Sequence, residues 1–223
     1  MGAGVEGYLQ LAELLKRAGV GSTECVVVDD GSTDGTAEKV AAMGIDGVSV
    51  VRAEHRGKGA ASARGVSASL GLRIVVVDVD WSVAPRQVAE LVAVQADLVY
   101  ASREGPGARR IAEPGWRHLL GRGFNAVVQH AVLAGVEDSQ CGCKVFQRAV
   151  ALDIFPRLTV QGWAFDVEVL TVAFLRGYTV REVPTVWRHE GDSRVRPGVD
   201  GLAMLRDVLR VRRNVERGRY SKR

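Results

Sequence analysis

Cys25-Val26-Val27-Val28-Asp29-Asp30-Gly31-Ser32-Thr33-Asp34-Gly35-Thr36 decides how this chain folds. A β-branched run ends abruptly in two carboxylates. A turn of Gly, Ser and Thr follows, and then the helix-forming Ala37-Glu38-Lys39-Val40-Ala41-Ala42. The pattern is a buried strand that delivers acids to the carboxyl edge of a sheet, where open α/β folds bind ligands. The arrangement returns in Arg73-Ile74-Val75-Val76-Val77-Asp78-Val79-Asp80. Two strand ends that carry acids point to one site for a polar ligand and a metal ion.

Working outward, residues 8–18 are predicted to form an amphipathic helix stopped by Gly19. Strand 24–28, a helix from Thr36 to Met43 and a short strand over 48–51 come next. His55-Arg56-Gly57-Lys58-Gly59 is a glycine-rich loop, with a small-residue helix over 60–70 behind it. Strand 73–77 leads to the second acid pair, Pro85 opens a helix over 86–95, and 97–101 is another strand. This alternation predicts an α/β domain with a mostly parallel sheet flanked by helices. In the second half, helices are expected over 116–134, 164–176 and 201–215, and extended segments over 144–146 and 179–183. No internal repeat or linker interrupts the chain, and 223 residues with 47% hydrophobic content suit one domain spanning 1–223.

The net charge of +4 is concentrated in Arg206, Arg210, Arg212, Arg213, Arg217, Arg219, Lys222 and Arg223. This is a solvated helix face or a strip that attracts anionic lipid or phosphate. Nucleic acid is not expected as a partner, because the basic strips lack interleaved aromatics. Cys25, Cys141 and Cys143 have no zinc-site spacing and read as reduced thiols, consistent with a cytoplasmic protein. No apolar run approaches the ~20 residues needed to span a bilayer, so any membrane contact is expected to be peripheral or through a partner.

Side chains two apart on a strand share a face, so Asp78 and Asp80 can address one hard cation. Mg²⁺ or Mn²⁺ suits such oxygen ligands, and Ser82 can add a hydroxyl or hold a metal-bound water. Asp29 or Asp30 can accept hydrogen bonds from a nucleobase or ribose; Asp34 or Ser32 can also simply cap the next helix, or Ser32 and Thr33 cap it while Asp30 binds. Arg56-Gly57-Lys58-Gly59 can bring backbone N–H groups and a cation to a pyrophosphate, although it lacks the Walker A spacing. Asp138-Ser139-Gln140-Cys141-Gly142-Cys143-Lys144 gathers an acid, an amide and a cation. Gln161-Gly162-Trp163-Ala164-Phe165-Asp166-Val167-Glu168 puts two acids in a first helical turn, where they can also simply complement the helix dipole.

Taken in order, Val28–Thr36, Gly57-Lys58-Gly59-Ala60, Asp78-Val79-Asp80, Ser102-Arg103, Asp138–Lys144 and Trp163–Glu168 resemble the GT-A glycosyltransferases of family 2. Within that family they are similar to the polyprenyl-phosphate (dolichyl-phosphate) glucosyl- and mannosyltransferase branch. Glu182–His189 and Gly191–Val195 resemble the tail of the same branch. The resemblance implies a nucleotide-sugar-binding half over 1–101, an acceptor-side half over 102–200, and a basic amphipathic helix and tail over 201–223. It implies inverting, metal-dependent transfer of a sugar, glucose by the aromatic-rich 163–166 segment, from a UDP-sugar to polyprenyl phosphate. Asp80, with Asp78 close by, would hold Mg²⁺ or Mn²⁺ against the leaving diphosphate, Lys58 would assist, and Arg103 and Arg117 would grip the acceptor phosphate. A soluble hydroxyl acceptor would instead need a general base, for which Asp138 or Asp166 is the candidate. A nucleotide-sugar-binding protein without catalysis is the third reading.

The chain departs from the family pattern at its start. The family opens with an apolar strand ending in a base-framing Pro-x-Tyr/Phe-Asn-Glu motif, and Met1–Gly7 is too short and glycine-rich to supply it. That strand, central in a doubly wound sheet, is expected to be missing, with Glu6 as a substitute for the family's glutamate. Val79 and Trp81-Ser82 also depart from the usual residues around the D-x-D. Peripheral attachment at the cytoplasmic face of a membrane and a homodimer are further expectations.

Overall fold

The structure, a computed structural model, describes residues 2–189 and 198–221; the expected Gly191–Val195 similarity lies outside them. The elements follow the chain as α1 (Gly2–Arg17), β1 (Cys25–Asp29), α2 (Thr36–Ala41), β2 (Val48–Arg52), α3 (Lys58–Ala68), β3 (Arg73–Val76), α4 (Pro85–Ala93) and β4 (Leu98–Ser102). β5 (Arg109–Ile111), α5 (Gly115–Ala131), β6 (Lys144–Gln147), α6 (Arg148–Ile154), α7 (Phe165–Leu175), β7 (Val180–Pro184), β8 (Val186–Arg188) and α8 (Val199–Glu216) complete it. The fold is α/β, with helices packed on sheets.

β4 is buried along its whole length, which is why its run Leu98-Val99-Tyr100-Ala101 shows no polar alternation. It lies between β6 and β7 in a sheet of order β3-β6-β4-β7. β1 and β2 pair parallel, β4 and β7 parallel, and β5 and β8 parallel. β6 runs antiparallel to both β3 and β4. This reversal matters for the site. It sets Lys144 opposite Val76 and Tyr100, so the Cys141-Gly142-Cys143 segment enters beside the acidic exit of β3.

Among the described residues, β1 bonds only to β2 and β3 only to β6. The strand system is therefore split where the resemblance places a first strand. α3 packs on both β1 and β3, yet Val26, Val27 and Val28 stay only half-buried, an unusual state for an apolar run of this kind.

α1 puts Leu11 and Leu15 against Val88 and Leu91 of α4, as its 3.6-residue periodicity requires. α7 is buried from Phe165 through Ala173 and forms the centre of the other half of the core. Its Glu168, fully buried, accepts from Thr159 N (2.7 Å), Thr159 Oγ1 (2.7 Å) and Val160 N (2.8 Å), and from the buried Tyr220 hydroxyl. Asn214 of α8 donates to Tyr220 Oη at 2.9 Å. The expected solvated basic tail thus contains an inward anchor that fastens α8 to the core.

Candidate functional site

The exit of β1 is a network of carboxylates and backbone amides. Asp29 is buried and its Oδ1 accepts from Ser32 N at 2.8 Å; hydrogen bonding from Ser32 holds its carboxyl below the usual range. Asp30 accepts from the backbone N–H of Arg56 and of Gly57, each at 3.0 Å, and lies 2.9 Å from His55 Nδ1. Asp29 thus closes the β1 turn on itself, and Asp30 ties that turn to the loop that opens α3.

That loop corrects the expectation of a backbone phosphate cradle. Arg56 N and Gly57 N are taken by Asp30, and Gly59 N and Ala60 N by Gln161 O. The glycines serve close approach instead. Gly57 has φ +104° and a Cβ there would lie 2.8 Å from Gln161 O; one on Gly59 would lie 2.6 Å from Phe165 Cβ. What the loop offers outward is Lys58. Its Nζ stands 2.6 Å from Asp78 Oδ1 and 5.9 Å from the centres of the Trp163 and Phe165 rings. Burial opposes its charge, but the Asp78 carboxylate, with Asp166 further off, outweighs this and raises its pKa.

At the exit of β3 the backbone turns sharply, with Trp81 at φ 51°. Trp81 Nε1 donates to Gly4 O at 2.9 Å, and a Cβ on Gly7 would lie 2.2 Å from Nε1 of that indole, so α1 braces the turn. Ser82 places both its N (3.0 Å) and Oγ (2.8 Å) on Asp80 Oδ1. Ser82 is therefore engaged in orienting Asp80, while Asp80 is exposed and keeps its second oxygen outside that turn. Asp78 is held between Lys58 and Gly142, where an added Cβ would come 1.9 Å from Oδ2.

Among the described residues no cluster of three or more His, Cys, Asp or Glu side chains stands ready to enclose a metal. The oxygen-only donors Asp80 and Asp78 instead fit a hard cation that takes one or two carboxylates and completes its shell with water and phosphate.

Of the acceptor-side candidates, Arg103 and Asp138 are bound to each other, while Asp166 and Arg117 have other partners. Arg103 grips Asp138 with Nε on Oδ2 and Nη2 on Oδ1, each at 2.8 Å, and its backbone N also donates to Oδ2 at 2.8 Å. Gln140 N adds a fourth donor at 3.1 Å. Burial would raise the Asp138 pKa, but Arg103 overcomes it and holds the carboxyl well below the usual range. The guanidinium lies 5.3 Å from the Trp187 ring centre and keeps Nη1 outside the carboxylate pair. Asp166 is buried against Lys144 Nζ at 2.7 Å, and the same ammonium donates to Cys141 O at 2.7 Å. Arg117 sits on α5, half-buried, over the Trp116 ring at 5.0 Å.

Beside Asp78 lies a narrow recess lined by Val77, Asp78, Ser82, Val83, Gly142, Cys143 and Trp187. Trp187 reaches it because β8 bridges to Val83. Sequence reasoning quoted Trp187 and Gly142 within longer stretches but gave neither a role. An aromatic in a short strand and a glycine between two cysteines carry no signal of their own; only the fold shows what they touch.

A family model described as "Glycosyl transferase family 2" matches residues 10–155. A dolichyl-phosphate beta-glucosyltransferase of Trichomonas vaginalis is 34% identical over 201 residues, covering 84% of this chain and 59% of the relative. The Homo sapiens dolichyl-phosphate beta-glucosyltransferase is 33% identical, covering 93% and 68%. This chain thus spans about three-fifths to two-thirds of the length of these relatives. Among solved structures, the glucosyl-3-phosphoglycerate synthase of Mycobacterium tuberculosis in complex with uridine diphosphate superposes with a TM-score of 0.59 at 25% identity, covering 84% of this chain and 66% of that one. With a family model over well more than half its residues and a third of its positions shared with these enzymes, the chain belongs to glycosyl transferase family 2.

Proposed function

We propose that this chain transfers glucose from UDP-glucose, with inversion at the anomeric carbon, to a polyprenyl phosphate, and that it uses Mg²⁺ or Mn²⁺. One observation carries the reading. Asp30 and Asp78, at two different strand exits, are linked through consecutive residues, because Asp30 holds Gly57 N and Lys58 holds Asp78. This link supports a single site at the two acidic edges. The beta-glucosyltransferase relatives support the sugar and the lipid phosphate, and the uridine diphosphate bound by the structural neighbour supports the donor.

In the reaction an oxygen of the acceptor phosphate forms a bond to the anomeric carbon as the bond to UDP breaks, and UDP leaves with the electron pair. Asp80, oriented by Ser82, and Asp78 would hold the divalent ion, which when bound supplies charge neutralisation for the departing diphosphate. Lys58 adds a fixed positive charge beside them. Asp29 and Asp30 hold the turn that faces the nucleoside. Arg103, with Nη1 outside its pair with Asp138, is placed to receive the acceptor phosphate. A phosphate acceptor is already an anion and needs no base. This agrees with Asp138 and Asp166, the two candidate bases, each being paired with a cation, the half-buried Arg103 and the buried Lys144. No helix of the described residues is long and apolar enough to cross a membrane, and we place the chain peripherally at the cytoplasmic face.

Incubation with Mn²⁺, labelled UDP-glucose and a polyprenyl phosphate tests the proposal. A labelled glucosyl lipid phosphate with β configuration is expected. Absence of labelled lipid with any common sugar nucleotide rejects it.

A further inference from the structure

Helix α5 carries an apolar stripe that nothing in the described structure covers. Trp116, Leu119, Leu120 and Val127 follow i, i+3, i+4 and i+11 spacing and are 52%, 71%, 55% and 43% exposed. The helix is seated by the adjoining flank, where Val128 is buried and Phe124 and Ala131 pack on the core. Isolated exposed leucines are ordinary, but a contiguous stripe on a helix that already has a packed face marks an interaction surface.

The charge around the stripe selects the partner. None of the 17 residues of α5 is acidic, and Arg117 and Arg122 flank the apolar positions. Glu113, the acid just before the helix, is paired with Arg110 Nη1 at 2.8 Å and faces His118 Nδ1 at 3.6 Å. Trp116 lies against the Arg117 guanidinium, an aromatic and a cation side by side as at a headgroup boundary. α8, which packs against α5, exposes Val199, Leu202 and Leu209 together with Arg206, Arg210 and Arg213. The apolar side chains of α5, bordered by arginine on a helix lacking carboxylates, complement an anionic bilayer surface.

We infer that the Trp116-Leu119-Leu120-Val127 face of α5 lies in the headgroup region of an anionic membrane and brings the site to its lipid acceptor. The helix is coupled to that site directly. Asn125 Nδ2 donates to Val136 O (3.0 Å) and Glu137 O (2.7 Å), and its Oδ1 accepts from Ser139 Oγ (3.1 Å). The loop so held carries Asp138 and, through it, Arg103. The choice of a lipid surface rests on the lipid-phosphate reading above.

Sedimentation with vesicles free of polyprenyl phosphate tests the surface apart from turnover. The protein is expected to pellet with phosphatidylcholine vesicles containing phosphatidylglycerol, to do so weakly with phosphatidylcholine alone, and to be released by salt. Leu119→Glu/Leu120→Glu is expected to lower the bound-to-free ratio by about tenfold or more, with an unchanged melting curve and unchanged turnover of a short-chain, water-soluble polyprenyl phosphate. Equal pelleting of variant and wild type overturns the inference, as does wild-type protein that stays in the supernatant with anionic vesicles. So does a wild-type dimer, seen by analytical ultracentrifugation and dispersed by the double variant, that binds no vesicles; it assigns the stripe to a second copy. Stripe-dependent vesicle binding without turnover of any lipid phosphate supports the docking surface and rejects the functional reading alone.

Discussion

The carboxylate of Asp78 occupies the space where a side chain on Gly142 would begin: a Cβ there would stand 1.9 Å from Asp78 Oδ2 and 2.6 Å from its Cγ. A glycine in the acceptor-side loop thus sets the position of an acid on the donor side. Gly142→Ala is expected to push Asp78 out of register with Lys58. Activity should fall by about tenfold or more, since small displacements at a reacting centre are amplified in rate. Stability should fall by only about 1–3 kcal/mol, the usual range for overpacking. Steady-state kinetics beside urea denaturation separates the two. Full activity in the variant would remove Gly142 from any positioning role.

The Arg103–Asp138 pair is largely buried and bidentate, so its members are expected to matter more to folding than surface ions do. Removing one partner strands a buried charge, which costs about 3–5 kcal/mol; Asp138→Ala and Arg103→Ala should each lose that much in urea denaturation. The pH dependence has a definite sign. The Asp138 pKa is lower in the folded protein than in the unfolded chain. Its stabilisation is therefore complete above the unfolded value near pH 4 and is lost as pH falls through the lower folded value. Wild-type melting temperature should decline at acid pH more steeply than that of Asp138→Asn, whose amide does not titrate.

Asp80 and Lys58 should separate in their metal behaviour. Asp80→Asn keeps the Ser82 hydrogen bonds at one oxygen but weakens the ligand for a hard cation. Its activity should fall by about 10²-fold or more, the scale of losing one charge-stabilising contact at a transition state, and the Mn²⁺ concentration needed for half-maximal rate should rise. Lys58→Met should lose activity without that rise. The raised Lys58 pKa adds an alkaline test. Its ion pair stabilises fully below the unfolded value near pH 10 and is lost as pH climbs through the higher folded value. The methionine variant should show a flatter alkaline limb in melting temperature. Chelation by EDTA should abolish turnover in the wild type; full activity after chelation would exclude metal dependence.

Much of this was legible because each strand exit is marked locally. Val26–Asp30 and Val75–Asp80 announce themselves by a switch from β-branched to acidic residues, and the helices by spacing and Pro85. What escaped was non-local. β5 and β8 are each only three residues long, below the length at which alternation shows. α6 follows β6 with no intervening turn residue, since Gln147 ends one and Arg148 begins the other. The antiparallel course of β6 depends on where α5 and its loop deliver the chain. Asp166 looked available in sequence because nothing nearby predicts that Lys144, 22 positions earlier, would lie 2.7 Å from it.

Tyr220 is the other non-local contact, and it turns the basic tail into part of the core. Its ring is fully buried and its hydroxyl meets both Glu168 and Asn214. Glu168 in turn accepts from both Thr159 N and Val160 N. Tyr220→Phe keeps the ring and removes one hydrogen bond to a carboxylate, so a loss of about 1.5–3 kcal/mol is expected. Tyr220→Ala also empties the volume of the ring and should lose about 3–5 kcal/mol. Glu168→Gln removes the charge but keeps the partners, its carbonyl accepting from Thr159 N and Val160 N while its amide donates to the Thr159 and Tyr220 hydroxyls, so it should cost less than Tyr220→Ala. Urea denaturation of the three variants checks the ranking. A Glu168→Gln protein as stable as the wild type would show that the carboxylate is not what holds α8 down.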